Sequence, residues 1–140
     1  MSEADNLAVF RRYVDEVFNA GDLAVVDEIF APGYHSHHND PVALPPGPEG
    51  VKQFVAATRE GFPDLTMSLD DSFGSGDMIA SRWTLRGTNS NTWFGNPPTG
   101  KYADWAGVVI SRFEDGKIAE EWFNFDQLRL LQMLGIIPSG

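Results

Sequence analysis

The hydrophobic pattern of this chain changes its period once, near Asp64, and this change constrains the fold more than any other feature. Before it, apolar residues recur at helical spacing, beginning with Leu7, Phe10, Val14, Val17 and Phe18. After it, apolar and polar residues alternate, beginning with Leu65, Met67 and Leu69. Helices followed by a run of strands are typical of an α+β protein, in which helices pack on one face of an antiparallel sheet.

Three helices are predicted before the change of period. The first begins at Asp5, which is placed to cap it, and ends at Asn19-Ala20-Gly21. The second begins at Asp22 and ends at Pro32-Gly33. A short strand is expected next, and prolines then exclude regular structure until a third helix begins near Pro48 and ends at Gly61-Phe62-Pro63.

Four strands and a closing helix are predicted after the change. A turn at 74–77 joins the first two strands, and Asp115-Gly116 predicts a hairpin between strands over Tyr102–Glu114 and Lys117–Phe125. Strands joined by turns are antiparallel, because parallel pairs need long crossovers. We therefore expect one α+β domain, 1–140, in which a curved antiparallel sheet wraps around N-terminal helices as a cone-shaped barrel with one open pocket.

Composition excludes several classes of function. The chain has 140 residues, no Cys and a net charge of −10, so it offers no basic face to a nucleic acid or an anionic membrane. Without Cys it has no disulfide, thiolate nucleophile or iron–sulfur cluster. The acidic N-terminus lacks a secretory signal and no apolar run is long enough to span a bilayer, so a cytoplasmic location is expected.

An ordered set of motifs covers nearly the whole chain. They are Tyr34-His35-Ser36-His37-His38, Pro45-Pro46-Gly47-Pro48-Glu49-Gly50, Phe62-Pro63-Asp64-Leu65, Arg82-Trp83, Gly87-Thr88, Gly95 with Pro97-Pro98-Thr99-Gly100-Lys101, Arg112-Phe113-Glu114-Asp115-Gly116-Lys117-Ile118, and Glu120-Glu121-Trp122 followed by Asp126. Together they resemble the SnoaL-like polyketide cyclases, within the nuclear transport factor 2-like superfamily. The resemblance implies an enzyme that uses neither a cofactor nor a metal.

The resemblance also implies where the chemistry occurs. In the cyclases of this family a pocket Asp acts as general acid and base in an intramolecular aldol condensation that closes a ring, and Asp126 lies at the matching position. Those cyclases also use a His on the neighbouring strand, whereas the corresponding stretch here, Trp105–Ser111, contains none. Because Asp126 precedes a helix, the structural alternative is that it caps that helix.

Further residues are predicted to surround the substrate. If the last strand is regular to its end, Trp122 and Asn124 share the face of Asp126, as an apolar wall and a hydrogen-bond donor. His37 is predicted to assist catalysis, because a neutral imidazole can donate to an oxyanion or relay a proton. The predicted substrate-binding set also includes Trp83, Trp105 and Val109.

Three histidines, His35, His37 and His38, also invite a metal hypothesis. In an extended segment His35 and His37 share a face while His38 points away. No His-x-x-x-His on a helix and no distal carboxylate partner is evident, so we expect one pocket histidine, two surface histidines and no metal.

Three functions remain open at this point. The first is a small acid–base enzyme of the cyclase or isomerase type acting on a hydrophobic carbonyl compound, and the second is a hydratase or epoxide hydrolase on the same fold. The third is a non-catalytic ligand-binding or dimerisation module. Val108 and Ile110 alternate with Val109, so this strand is apolar on both sides, which predicts a homodimer that covers the outer sheet face.

Overall fold

The computed structural model describes residues 2–37 and 44–139. The helices are α1 (Glu3–Arg12), α2 (Ala24–Ile29), α3 (Pro48–Gly61) and α4 (Gln127–Met133), and a π-helical segment, Tyr13–Asn19, continues α1. The strands are β1 (Phe30–His37), β2 (Thr66–Ser75), β3 (Met78–Thr88), β4 (Tyr102–Glu114) and β5 (Lys117–Phe125). The predicted α+β class is confirmed, and the bounds of the last hairpin are those predicted.

The five strands form one curved sheet in the order β1-β5-β4-β3-β2, which does not close on itself. Strands β2 to β5 pair antiparallel with their neighbours, as predicted. Strand β1 instead pairs parallel with β5, with His35 opposite Glu120 and His37 opposite Trp122. The expectation of a wholly antiparallel sheet is therefore wrong at this edge, where the chain between β1 and β5 is long enough to allow a parallel pair.

The helices cover one face of the sheet and leave the other face open. On β3 alternate residues are buried, from Ile79 through Trp83 to Leu85. On β4, Trp105 and Val109 point inward and are buried, whereas Val108 and Ile110 are 49% and 43% exposed on the outer face. The core thus lies between the concave face of the sheet and the helices.

Two predicted helix boundaries are wrong. Ser2, not Asp5, is the N-cap of α1, and the two residues form a capping box in which each side chain accepts from the other's backbone N–H. Helix α2 follows Leu23 and ends at Ile29, and the chain is already extended at Phe30. The predicted stop at 32–33 therefore lies inside β1, which tolerates a proline because it is an edge strand.

Helix α4 packs against β4 at one end of the sheet. The Asp126 side chain caps it, since its Oδ1 accepts from the backbone N–H of Arg129 at 3.0 Å. The Arg129 guanidinium donates to Asp104 of β4 at 2.8 Å, and Leu130 and Leu134 of this segment are buried. Among the helices described, none is long and apolar enough to cross a membrane.

Candidate functional site

A cavity of about 420 Å³ lies between the helices and the concave face of the sheet. Its lining is mostly apolar and is dominated by aromatic rings from every layer of the fold: Phe10, Tyr13, Phe18, Phe54, Trp83, Trp93, Trp105, Phe123 and Phe125. Residues 34–36 and 44–47 also contribute to the lining. A small organic ligand with aromatic or aliphatic surface suits such a cavity.

Packing between rings fixes the cavity walls. Phe62, which is fully buried, lies edge-on to Trp93 at 5.5 Å and tilted against Trp105 at 5.3 Å, measured between ring centroids. The Trp93 indole N–H donates to the Thr58 hydroxyl at 3.3 Å. Such aromatic pairs have preferred geometries, so contacts with Phe62 and Thr58 fix the positions of Trp93 and Trp105, two of the three tryptophans in the lining.

The indole N–H of Trp83 is a buried donor that finds no acceptor in the described part of the chain. Trp83 is only 5% exposed, and Nε1 has no acceptor within residues 2–37 and 44–139. The residue lines the cavity from β3, with Gly107 of β4 directly opposite it in the sheet. An unpaired buried donor costs about 1–3 kcal/mol, so a bound ligand with an oxygen at this point would gain this hydrogen bond.

Behind the cavity wall, β5 buries a carboxyl group. Glu121 is fully buried, and its two oxygens accept from the Tyr34 hydroxyl at 2.9 Å and the Ser111 hydroxyl at 2.6 Å. Burial raises the pKa of Glu121 from 4.5 to about 7, although the two hydroxyl groups oppose the shift. This carboxyl therefore exchanges a proton near neutral pH, as a general acid or base must.

Two tyrosines connect the buried carboxyl with the cavity. Tyr34 of β1 lines the cavity and its hydroxyl donates to Glu121, so this residue links the buried carboxyl to the cavity wall. Tyr13, at the start of the π-helical segment, also lines the cavity and lies close enough for the charge of Glu121 to act on it. Burial is the larger cause and the charge of Glu121 the second, and together they raise the pKa of both phenols. Both hydroxyl groups therefore stay protonated and can donate hydrogen bonds.

Three of the predicted site residues line this cavity and four do not. Trp83, Trp105 and Val109 contribute to its wall. Asp126, Asn124, Trp122 and His37 are absent from the lining. The roles of all seven stay predictions, but only the first three lie where a ligand in the cavity would touch them.

A β-bulge between β4 and β5 explains the misplaced residues on β5. Ile118 pairs with Phe113, whereas Glu120 pairs with Arg112, so one extra residue, Ala119, lies between them. Ile118 is buried before the bulge, and after it the odd-numbered side chains of β5 point inward. Phe123 and Phe125 therefore face the cavity, in place of the predicted Trp122 and Asn124.

His37 lies in a cluster at the β1 edge of the sheet, the edge cluster, formed by His35, His37 and Glu120 with Arg112 and Trp122. Of these residues, His35 also contributes to the cavity lining. The His37 ring stacks on Trp122 with centroids 5.3 Å apart, and its Nε2 lies 2.8 Å from Glu120 Oε2. His35 Nε2 lies 2.9 Å from the same oxygen. Glu120 is the carboxylate partner that the sequence did not reveal, whereas His38 lies outside the described residues.

Sequence reasoning also missed Glu121 and Tyr34. Both belong to motifs that the sequence analysis singled out, but without the bulge the alternation along β5 turns Glu121 outward. The one available signal was that Glu120 and Glu121 are neighbours in a strand. Successive side chains of a strand point to opposite faces of the sheet, so one of the two carboxyl groups must face the protein core.

Comparisons with known proteins agree with this fold. The family model for SnoaL-like polyketide cyclase matches residues 8–134. TsrD from Streptomyces laurentii has a similar structure at 27% sequence identity, with a TM-score of 0.88 and coverage of 98% of this chain and 99% of that one. No curated protein sequence matches the chain significantly.

Two further solved structures carry functional names. IdmH from Streptomyces antibioticus, named as a candidate polyketide cyclase, is 33% identical, with a TM-score of 0.78 and coverage of 93% and 98% of the two chains. AclR from Streptomyces galilaeus, named as a candidate hydroxylase, is 26% identical, with a TM-score of 0.84 and coverage of 99% and 86%.

Proposed function

Because this chain belongs to the SnoaL-like polyketide cyclase family, we propose that it is an enzyme that binds a hydrophobic carbonyl compound in the aromatic cavity and moves a proton next to the carbonyl group. The observation that carries this proposal is the indole N–H of Trp83, which lies in a mostly apolar wall and has no acceptor among the described residues. It supplies the hydrogen bond that a carbonyl or enolate oxygen requires in a dry site.

The acid–base group in this proposal is the Glu121–Tyr34 pair. The carboxylate of Glu121 accepts the phenol proton of Tyr34 while the Tyr34 oxygen takes a proton from the substrate carbon. The reverse transfer then returns that proton to a substrate oxygen. A pKa of about 7 for Glu121 supports both directions near neutral pH, and the 2.9 Å hydrogen bond provides the path.

Intramolecular aldol ring closure fits these parts. The pair removes the proton from the carbon next to one carbonyl group, and Trp83 stabilises the enolate oxygen. The enolate carbon then forms a bond to a second carbonyl carbon of the same molecule, and the alkoxide so formed takes the proton back. No proton or electron is gained or lost overall, so this reaction needs no redox cofactor.

Asp126 and His37, the residues predicted from the sequence, remain the rival acid–base candidates. Asp126 is exposed and its carboxylate already caps α4, and His37 lies against Trp122 and Glu120. Neither lines the cavity, and for this reason we assign proton transfer to Glu121 and Tyr34.

The test measures exchange of α-protons in a model ketone. The probe is α-tetralone, a bicyclic aryl ketone, in D₂O near neutral pH with EDTA present, and the exchange is followed by proton NMR. We expect the protein to accelerate the exchange, and Glu121→Gln to reduce the acceleration by about 10²-fold or more. Trp83→Phe keeps the ring but removes the donor, and we expect about tenfold weaker binding of α-tetralone.

Matched variants separate these effects from damage to the fold. Trp93→Phe also removes an indole N–H from the lining, but one already bonded to Thr58, so it lowers stability and leaves binding of α-tetralone nearly unchanged. Exchange that survives Glu121→Gln but is lost in Asp126→Asn contradicts the assignment and favours Asp126. Binding of α-tetralone without any exchange favours a non-catalytic binding module.

A further inference from the structure

The two histidines of the edge cluster converge on a single carboxylate oxygen. His35 and His37 alternate along β1 and so project from the same side of the strand. Their Nε2 atoms lie 2.9 Å and 2.8 Å from Glu120 Oε2, which comes from the neighbouring strand β5. All three ligand-type atoms lie within 4.8 Å of one another.

Arg112 orients the Glu120 carboxylate for this contact. The Arg112 Nε donates to Glu120 Oε1 at 3.1 Å, which leaves Oε2 directed at the two imidazoles. The same guanidinium donates to Glu114 at 2.8 Å, so its charge is already shared with a second carboxylate. Metal ligands in proteins are commonly held in this way by a hydrogen bond from a neighbouring group.

We propose that His35, His37 and Glu120 form a binding site for Zn²⁺. Two neutral imidazoles and one carboxylate are a ligand set that Zn²⁺ favours, with a water molecule as the fourth ligand of a tetrahedron. Mg²⁺ prefers oxygen ligands in octahedral geometry and binds poorly to such a set. The site lies at the β1 edge of the sheet, where His35 also contributes to the cavity lining, but the proposal does not depend on the chemistry in the cavity.

Only a small adjustment converts the present geometry into this site. With metal–ligand bonds of about 2.0–2.2 Å, neighbouring ligand atoms of a tetrahedron stand about 3.3 Å apart. The Nε2–Oε2 distances of 2.8 Å and 2.9 Å therefore have to open by about half an ångström. The side chains of His35 and His37 are 56% and 49% exposed, so they can rotate without disturbing the core.

The bound metal would join β1 to β5 at the one parallel pair of the sheet. It would link His35 and His37, near the end of β1, to a strand that forms part of the cavity wall. A metal that binds only the folded chain raises its stability in proportion to the logarithm of free metal concentration. Zn²⁺ is therefore expected to raise the melting temperature.

The test is calorimetric titration of the EDTA-treated and then chelator-free protein with ZnCl₂. We expect one Zn²⁺ per chain, and at least tenfold weaker binding in each of His35→Ala, His37→Ala and Glu120→Gln. The matched control is Glu114→Gln, which removes the other carboxylate bonded to Arg112 and should bind as the unmodified chain does. Co²⁺ in place of Zn²⁺ should give the visible absorption of a tetrahedral complex, and MgCl₂ should produce no binding heat.

Two results would overturn the proposal. One is the absence of one-to-one binding in the unmodified chain. The other is binding that persists at full affinity in the histidine variants, or in Glu120→Gln, because the metal would then have other ligands. Circular dichroism of the three variants checks the fold, and the rise in melting temperature with ZnCl₂ must disappear in the same variants that lose binding. The exchange of α-tetralone is measured in EDTA, so failure here leaves the proposal for the cavity intact.

Discussion

Replacing Glu121 by Gln tests the buried carboxyl directly. Gln has nearly the same shape, and its carbonyl oxygen can accept from Tyr34 while its amide donates to the Ser111 oxygen. The substitution therefore keeps both hydrogen bonds and removes only the ability to ionise. If the substitution abolishes a pH dependence of the free energy of unfolding, that dependence arises from ionisation of Glu121.

The sign and size of that dependence follow from the pKa. The folded-state pKa of Glu121 is about 7, above the ordinary value of 4.5 that we assign to the unfolded chain. Protonated Glu121 thus favours the folded state, and this contribution is complete below pH 4.5 and is lost as the pH rises through 7. At about 1.4 kcal/mol for each unit between the unfolded and folded pKa values, the stability lost is about 3 kcal/mol.

The assay is urea unfolding of both proteins between about pH 4.5 and 8.5. We expect the two proteins to have similar free energies of unfolding at the acid end of this range. At the alkaline end, Glu121→Gln should be more stable than the unmodified chain by about 3 kcal/mol. With urea m-values of about 1–3 kcal/mol per M, the midpoint difference grows to about 1–3 M. Glu114→Gln, an exposed carboxyl on β4, serves as the control and should follow the unmodified chain.

A difference between Glu121→Gln and the unmodified chain that stays constant with pH would refute this reasoning. It would mean that Glu121 ionises equally in both states, so that burial does not raise its pKa. The carboxyl would then be charged throughout the neutral range, and the case for it as an acid–base group in the cavity wall would lose its physical basis.

Three further predictions concern the core, the helix cap and the outer face. In Gly107→Ala the new Cβ would stand 2.5 Å from Trp83 and 2.8 Å from the backbone of β5. We therefore expect the free energy of unfolding, measured by heat or urea, to fall by about 1–3 kcal/mol and the binding of α-tetralone to weaken. Unchanged stability would contradict this packing. In urea unfolding, Asp126→Ala should lower the free energy of unfolding by about 1 kcal/mol, because the helix loses its cap. Asp126→Asn should leave the free energy of unfolding almost unchanged, because Asn caps a helix as well as Asp does. Exposed Val108 and Ile110 predict a homodimer, so sedimentation at micromolar concentration should give twice 15.5 kDa and Ile110→Glu should give the monomer; a 15.5 kDa species for the unmodified chain would exclude the dimer.

The sequence predicts the strands of this fold better than its helix ends. Alternation and the Asp115-Gly116 turn gave the bounds of β4 and β5 correctly, because a tight hairpin fixes both strand ends locally. The start of β1 was missed because Pro32-Gly33 normally ends a helix without continuing as a strand. Only the pairing with β5, which is distant in the chain, makes this segment extended.

The site was predicted in part for a similar reason. Trp83, Trp105 and Val109 lie on regular strands, where alternation alone places them on the inner face. On β5 the bulge at Ala119 reverses the alternation, and a bulge depends on the register between two strands, which one sequence does not reveal. The same reversal turned Glu121 inward.

The parallel edge of the sheet has a consequence for how the chain folds during synthesis. Phe30 of β1 pairs with Ile118 of β5, roughly ninety residues later in the chain. At 5–20 residues per second, a ribosome needs roughly 5–18 s to supply that partner. Until then β1 has no strand beside it, and its apolar residues Phe30 and Tyr34 stay available to other chains. A chain released before residue 117 should therefore aggregate more than a chain released after residue 125, in which β5 can pair with β1.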